Sequence, residues 1–159
     1  GKIPLYGSGF LTEGVLDAAG PAAEGILTTL HYSDSLETKR NQDFRKKFAI
    51  GYKLQPDVYA VQGYDAAQML AVGLKAAGGD ISKKDAFRTA IEKATIASPR
   101  GDFTLSKAHN PVQDIYLRRV ELVGGKPQVV EFDKLEKVKD PVKEAMKAEG
   151  KLNPDGTAK

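Results

Sequence analysis

The chain has 159 residues, 41% of them hydrophobic and 28% charged, a composition that fits a globular domain and excludes wholesale disorder or a fibrous repeat. Twenty-four Lys and Arg against 21 Asp and Glu leave a net charge of +3, spread along the sequence rather than gathered, which argues against nucleic acid as a partner. With no Cys and only His31 and His109, no disulfide, thiolate metal site or histidine-rich centre can form, and the most apolar stretch, 66–77, is broken by Gln68, Gly73 and Lys75, so no membrane span is expected.

Residues 3–6 form an apolar run that reads as a strand ending in Gly7-Ser8-Gly9, and residues 12–16 read as the first turn of a helix capped by Thr12. Gly20-Pro21 stops that helix, and the β-branched and aromatic stretch 25–32 reads as a second strand, so the first 32 residues predict a β-α-β unit. From 35 to about 50 the pattern becomes a charged surface helix, with Leu36, Phe44 and Phe48 along one side. Pro56-Asp57 opens a long helix over 58–77, closed by Gly78-Gly79. Its apolar residues nearly encircle it and leave a polar stripe of Gln62, Asp65 and Gln68, which predicts burial on more than one side.

Ser82-Lys83-Lys84-Asp85 resembles a capping box ahead of a helix bearing Phe87, Ala90, Ile91 and Ala94. Residues 101–105 and 114–123 read as strands, and Gly124-Gly125-Lys126-Pro127 turns the second back into 128–132 as a hairpin. Asp140-Pro141 opens a last helix to about 149, and 150–159 reads as a loose tail. The alternation is α/β, yet residues 33–98 are almost all helix with no strand for those helices to cover, as if half of a sheet were missing.

Gly7-Ser8-Gly9-Phe10 lies between a strand and a helix, where small residues let a ligand approach unpaired backbone N–H groups; such a spot favours anions, and the same residues also make a plain tight turn. A dinucleotide fingerprint is not met, because the third glycine is out of place and no acidic residue ends the next strand. Arg100-Gly101-Asp102 spells an adhesion tripeptide but is also good turn chemistry, and it is read as a turn. Arg45-Lys46-Lys47 reads as a solvated helix face and His31 as a structural or exposed residue at a strand end. No nucleophile elbow, His-Glu-x-x-His helix, Walker loop or kinase-like acid set is present, and Asp65 reads as a hydrogen-bonding partner rather than a proton-transfer acid.

Four strings in order, Ile3-Pro4-Leu5-Tyr6-Gly7-Ser8-Gly9-Phe10, Ala22-Ala23-Glu24-Gly25-Ile26-Leu27, Gln62-Gly63-Tyr64-Asp65-Ala66-Ala67 and Arg100-Gly101-Asp102-Phe103-Thr104-Leu105, resemble one family over about residues 1–135. It is the branched-chain amino-acid-binding type of periplasmic binding protein, the solute-binding component of ABC importers. The resemblance implies an α/β fold that is an incomplete, C-terminal portion of a two-lobed protein, with several helices, few strands and the first half lying upstream. Residues 1–31 would belong to the second lobe, 32–113 to a mostly helical part of the first, and 114–150 to a crossover hairpin and terminal helix of the second, with 151–159 a tail.

The same resemblance implies no enzymatic activity, no cofactor, a periplasmic or extracytoplasmic location and a membrane permease as partner. It matches Ser8, Gly9 and Phe10 to a second-lobe ligand loop, and Tyr59 and Gln62 to the first-lobe helix start that faces it. In that arrangement the Ser8 hydroxyl and N–H groups near Gly9 hold a ligand carboxylate, Phe10 and Tyr59 pack on its apolar part, and Gln62 adds an orienting hydrogen bond. Amino-acid receptors of the family commonly carry an acidic residue in this loop for the α-ammonium; here the nearest is Glu13, in the following segment. The expected ligand is therefore a small organic acid, aromatic in character, with an amino acid as the alternative; a ligand sensor of the same architecture is the rival role. Helices shaped to cover an absent sheet would leave apolar faces wet, so self-association or repacking is expected.

Overall fold

The computed structural model describes residues 3–153 and 156–159; Gly1, Lys2, Pro154 and Asp155, which belong to the expected first segment and tail, lie outside the described residues. Strand β1 (Tyr6–Ser8) pairs in parallel with β2 (Leu27–Leu30), Ser8 opposite Thr29. Between them run a 3-10 turn at Gly9–Leu11, the one-turn helix α1 (Leu16–Ala19) and a second 3-10 turn at Gly20–Ala23. The expected β-α-β order is present, with two corrections. Residues 3–5 stay outside the strand, and Thr12 does not start the helix. Its buried hydroxyl donates to the Gly9 carbonyl at 2.9 Å and accepts from Arg118 Nη2 at 3.3 Å, so a distant side chain uses the group that would have capped a helix.

Strands β3 (Ile96–Ser98) and β4 (Gly101–Leu105) form a short hairpin, of which β3 was not expected. Strands β5 (Pro111–Val123) and β6 (Lys126–Val138) form a long one, turned by Gly124 and Gly125 at φ 59° and 79°. Two successive left-handed residues are what a two-residue hairpin turn requires, and glycine takes them without a Cβ clash. Both strands outrun the expected 114–123 and 128–132 because they pair from Val123–Lys126 to Gln113–Val138, with register shifts between Gln113 and Ile115 and between Leu117 and Arg118. Strand β5 also pairs with β2 over Tyr116–Arg119 and with β4 at Pro111 and Val112, giving the order β1-β2-β5-β4-β3 with β6 also on β5.

Helix α2 (Lys39–Tyr52) begins later than expected. Leu36 is drawn into the core ahead of it, and Thr38 caps it by accepting from Asn41 N at 3.2 Å. Asn41 is itself buried, accepting from Tyr32 Oη at 3.0 Å and donating to the Leu36 carbonyl at 2.9 Å, so the segment leaving β2 is tied to the start of α2. Helix α3 (Val58–Ala76) is capped by Asp57, which accepts from Ala60 N at 2.9 Å. Helix α4 (Lys84–Lys93) has no side-chain cap, because Ser82 gives its hydroxyl to Asp80 at 2.7 Å instead of forming the expected box. It docks on α3 through Phe87, whose ring lies so near Gly73 that a Cβ there would sit 2.6 Å from it. Helix α5 (Pro141–Ala148) is capped by Asp140, as its Asp-Pro start predicts.

One buried cluster, Leu30, Tyr32, Leu36, Phe44, Val58, Val61 and Tyr116, joins the sheet to α2 and the start of α3. Helix α3 is covered on two sides, by this cluster at Val58 and Val61 and by α4 at Gly73, but its apolar residues are not all buried. Tyr59, Leu70 and Leu74 remain exposed along its outer face, since the described residues place the core on the other side. The tail is not loose where it is described: Leu152 bridges to Ala158, and Gly156 is buried against Lys107 and Ala108.

Candidate functional site

The Ser8–Gly9–Phe10 turn leaves the end of β1 and is held from below by packing that tolerates no side chain at its centre. Gly9 is buried, and a Cβ on it would lie 2.5 Å from Leu30 Cβ and 2.6 Å from Arg118 Nη2. Its carbonyl accepts from Thr12 N at 3.0 Å and from Arg118 Nη2 at 3.3 Å. Ser8 is exposed; its Oγ accepts from Phe10 N at 3.4 Å, which leaves the hydroxyl proton to donate outward.

Phe10 and Tyr59 come together across the gap between this turn and the start of α3. Their rings stack with centroids 6.2 Å apart at 29°, although each side chain is more than half exposed. One turn along α3, the exposed Gln62 amide donates from Nε2 to His31 Nε2 at 3.3 Å. An amide nitrogen only donates, so His31 Nε2 is the acceptor and the ring proton sits on Nδ1. The pKa of His31 is lowered to about 4, first by burial and then by the charges of Arg100 and Arg118, so the ring is neutral at pH 7. Of the five predicted site residues, Phe10 meets Tyr59 directly, Ser8 is exposed and bonds to the Phe10 backbone, Gly9 is the buried centre of the turn, and Gln62 reaches His31.

Three features of the site escaped sequence reasoning. Arg118, at 2% exposure, donates from Nη1 to Glu13 Oε1 at 3.0 Å and to the Tyr32 carbonyl at 3.1 Å, and from Nη2 to Gly9 O and Thr12 Oγ1. It thereby ties the turn to the segment that leaves β2. Arg100 pairs with Asp65 of α3 at 2.8 Å, both side chains buried, while Tyr116 Oη donates to the Arg100 carbonyl at 2.6 Å. A buried Arg100 cannot present the Arg-Gly-Asp tripeptide to an adhesion receptor, and Asp65 holds the hydrogen-bonding role expected of it. His31 is the third. The signal for Arg118 lies in β5 itself, where Tyr116, Arg118 and Val120 alternate as inward positions.

Chemically, the mouth combines two aromatic faces, an outward hydroxyl, an amide and a neutral imidazole. Glu13, three residues after Phe10, and Asp65, three after Gln62, are committed to buried arginines, while the exposed Asp57, two residues before Tyr59, caps α3. Such a lining suits a small planar molecule that carries an anionic group.

Residues 1–126 match a family model described as periplasmic binding protein. Among curated proteins, Leu/Ile/Val-binding protein homolog 6 of Brucella abortus (strain 2308) is 35% identical over 124 residues, 74% of this chain and 31% of that protein. Homolog 1 of Brucella suis is 30% identical over 67% of this chain and 28% of its own length, so the chain spans about a third of the curated relatives it matches. Among solved structures, an ABC-transporter solute-binding protein from R. palustris in complex with benzoate is 52% identical, with a TM-score of 0.77 over 87% of this chain and 38% of that one. A second, from Rhodopseudomonas palustris BisB5 in complex with 3,4-dihydroxybenzoic acid, is 32% identical, with a TM-score of 0.80 over 89% of this chain and 39% of that one. No helix among the described residues is long and apolar enough to cross a membrane.

Proposed function

Because the chain belongs to the periplasmic binding protein family, we propose that it serves in an extracytoplasmic solute receptor that hands a small aromatic carboxylate to the membrane permease of an ABC importer. The observation that carries this reading is the Phe10–Tyr59 ring pair, with Glu13 and Asp65 each paired to a buried arginine. The relatives that are 52% and 32% identical hold benzoate and 3,4-dihydroxybenzoic acid, which supports the ligand class.

The two rings now lie 6.2 Å apart, within the range of a direct pair. A ligand ring between them needs contacts of about 4.5 Å on each side, hence a separation of about 9 Å. Binding therefore opens the gap by a few ångström and then fills it, with the Ser8 hydroxyl donating to the carboxylate and Gln62 orienting it. A ligand that touches both the Ser8–Phe10 turn and α3 favours the closed arrangement of the segments carrying them, which we assign to the second lobe (1–31, returning over 114–150) and the first (32–113). Closure around the ligand is the state the permease reads, and residues 1–159 do no chemistry in this scheme.

Titration calorimetry of the chain with benzoate, 4-hydroxybenzoate, 3,4-dihydroxybenzoate and leucine tests the reading. Saturable heat from one or more of the aromatic acids and none from leucine is the expected result. Tight leucine binding with silence from every benzoate overturns it.

A further inference from the structure

We propose that His31 contacts the carboxylate of the bound ligand, with Gln62 as the partner its neutral ring keeps without ligand; this rests on the aromatic-acid reading above. Strand β2 ends at Leu30, and Ser8 lies opposite Thr29 in the parallel register, so His31 follows directly where β1 gives way to the Ser8–Phe10 turn. Leu30 backs onto Gly9, the centre of that turn. On its other side His31 is 3.3 Å from Gln62, which stands one helical turn beyond Tyr59, the residue whose ring meets Phe10. The imidazole thus sits between the two groups of residues that frame the mouth, and its partner there is an exposed amide free to re-aim.

The charges around it favour an arriving anion. Arg118 on β5 and Arg100 in the turn before β4 both act on His31, each already balanced by one carboxylate, Glu13 for the first and Asp65 of α3 for the second. Without ligand these groups and burial hold the ring neutral. A carboxylate in contact with it favours the imidazolium, typically by about 1–3 pKa units. Between the free and bound titration midpoints, binding then takes up one proton, and affinity rises as pH falls, by up to about tenfold per pH unit.

The chain has two histidines, so NMR follows each imidazole separately. The test is a pH titration of the His31 and His109 ring signals with and without saturating benzoate, alongside calorimetry at about pH 5 in buffers of different ionisation enthalpy, where a carboxylic acid with a midpoint near 4 stays mostly ionised. Expected are a His31 midpoint raised by at least about one unit, a His109 midpoint unmoved, and proton uptake that disappears in His31→Gln. Benzoate binding with an unmoved His31 midpoint overturns the proposal and leaves the aromatic-acid reading standing, whether or not the variant folds. Proton uptake that persists in a folded His31→Gln overturns it equally. Absence of benzoate binding in the unaltered chain, with leucine bound instead, removes the reading on which it rests.

Discussion

Arg118→Met is the substitution that most directly tests how the Ser8–Phe10 turn is held. The guanidinium is almost wholly buried and bonds to Glu13, the Tyr32 carbonyl, the Gly9 carbonyl and Thr12 Oγ1. Removing one member of a buried ion pair costs about 3–5 kcal/mol, because the remaining charge loses its partner. Two features lower that figure here. Glu13 keeps some contact with water, and Arg118 Nε is a buried donor with no partner, a defect of about 1–3 kcal/mol that the substitution removes. The net loss is therefore about 2 kcal/mol, or about 4–8 °C in melting temperature for a chain of this size. Urea unfolding followed by circular dichroism should show a lower midpoint with an unchanged slope. Glu13→Gln combined with Arg118→Met should cost at least about 1 kcal/mol less than the two separate losses added together. A single Arg118→Met variant within about 0.5 kcal/mol of the unaltered chain would refute the idea that this side chain anchors the turn.

Gly9→Ala forces a methyl against Leu30 and Arg118, and overpacking of this kind costs about 1–3 kcal/mol; an unaltered unfolding midpoint would contradict the close approach. The ligand-free chain should lose stability on acidification through His31, whose pKa falls from 6.5 to about 4 on folding. The unfolded chain takes up that proton first, so the contribution is complete above about pH 6.5 and drains away as pH falls toward 4. Its ceiling is about 3 kcal/mol, and it should vanish in His31→Gln when stability is measured across that window. With Leu70 at 55% and Tyr59 at 57% exposure on one face of α3, sedimentation velocity should show association that grows with concentration; a monomer at every concentration would refute this.

Elements whose signals are local were readable from the sequence. Asp57 and Asp140 cap their helices with their own side chains, and Gly124-Gly125 turns its hairpin because the backbone there needs two left-handed residues. Misreadings arose where another group, near or far along the chain, competes for a local signal. Thr12 looks like a cap until Arg118, more than a hundred residues on, takes its hydroxyl. Ser82 looks like one until Asp80 does the same. The length of β6 was hidden because its second half, through Lys134, Glu136 and Lys137, is charged and exposed, and only pairing with β5 makes it a strand. Phe10, Tyr59 and Gln62 are legible through a family likeness, whereas His31 has no signal of its own: its partner is 31 residues away, and nothing in the intervening sequence links them.

The contact between Gly73 and Phe87 carries a consequence for how these helices can be used. Because the aromatic ring fills the notch left by the missing Cβ, α3 and α4 are keyed to each other by residues of their own and need no outside template to set their spacing. The spacing of the pair is therefore sensitive to any side chain at position 73, and a methyl there would have to push the Phe87 ring aside.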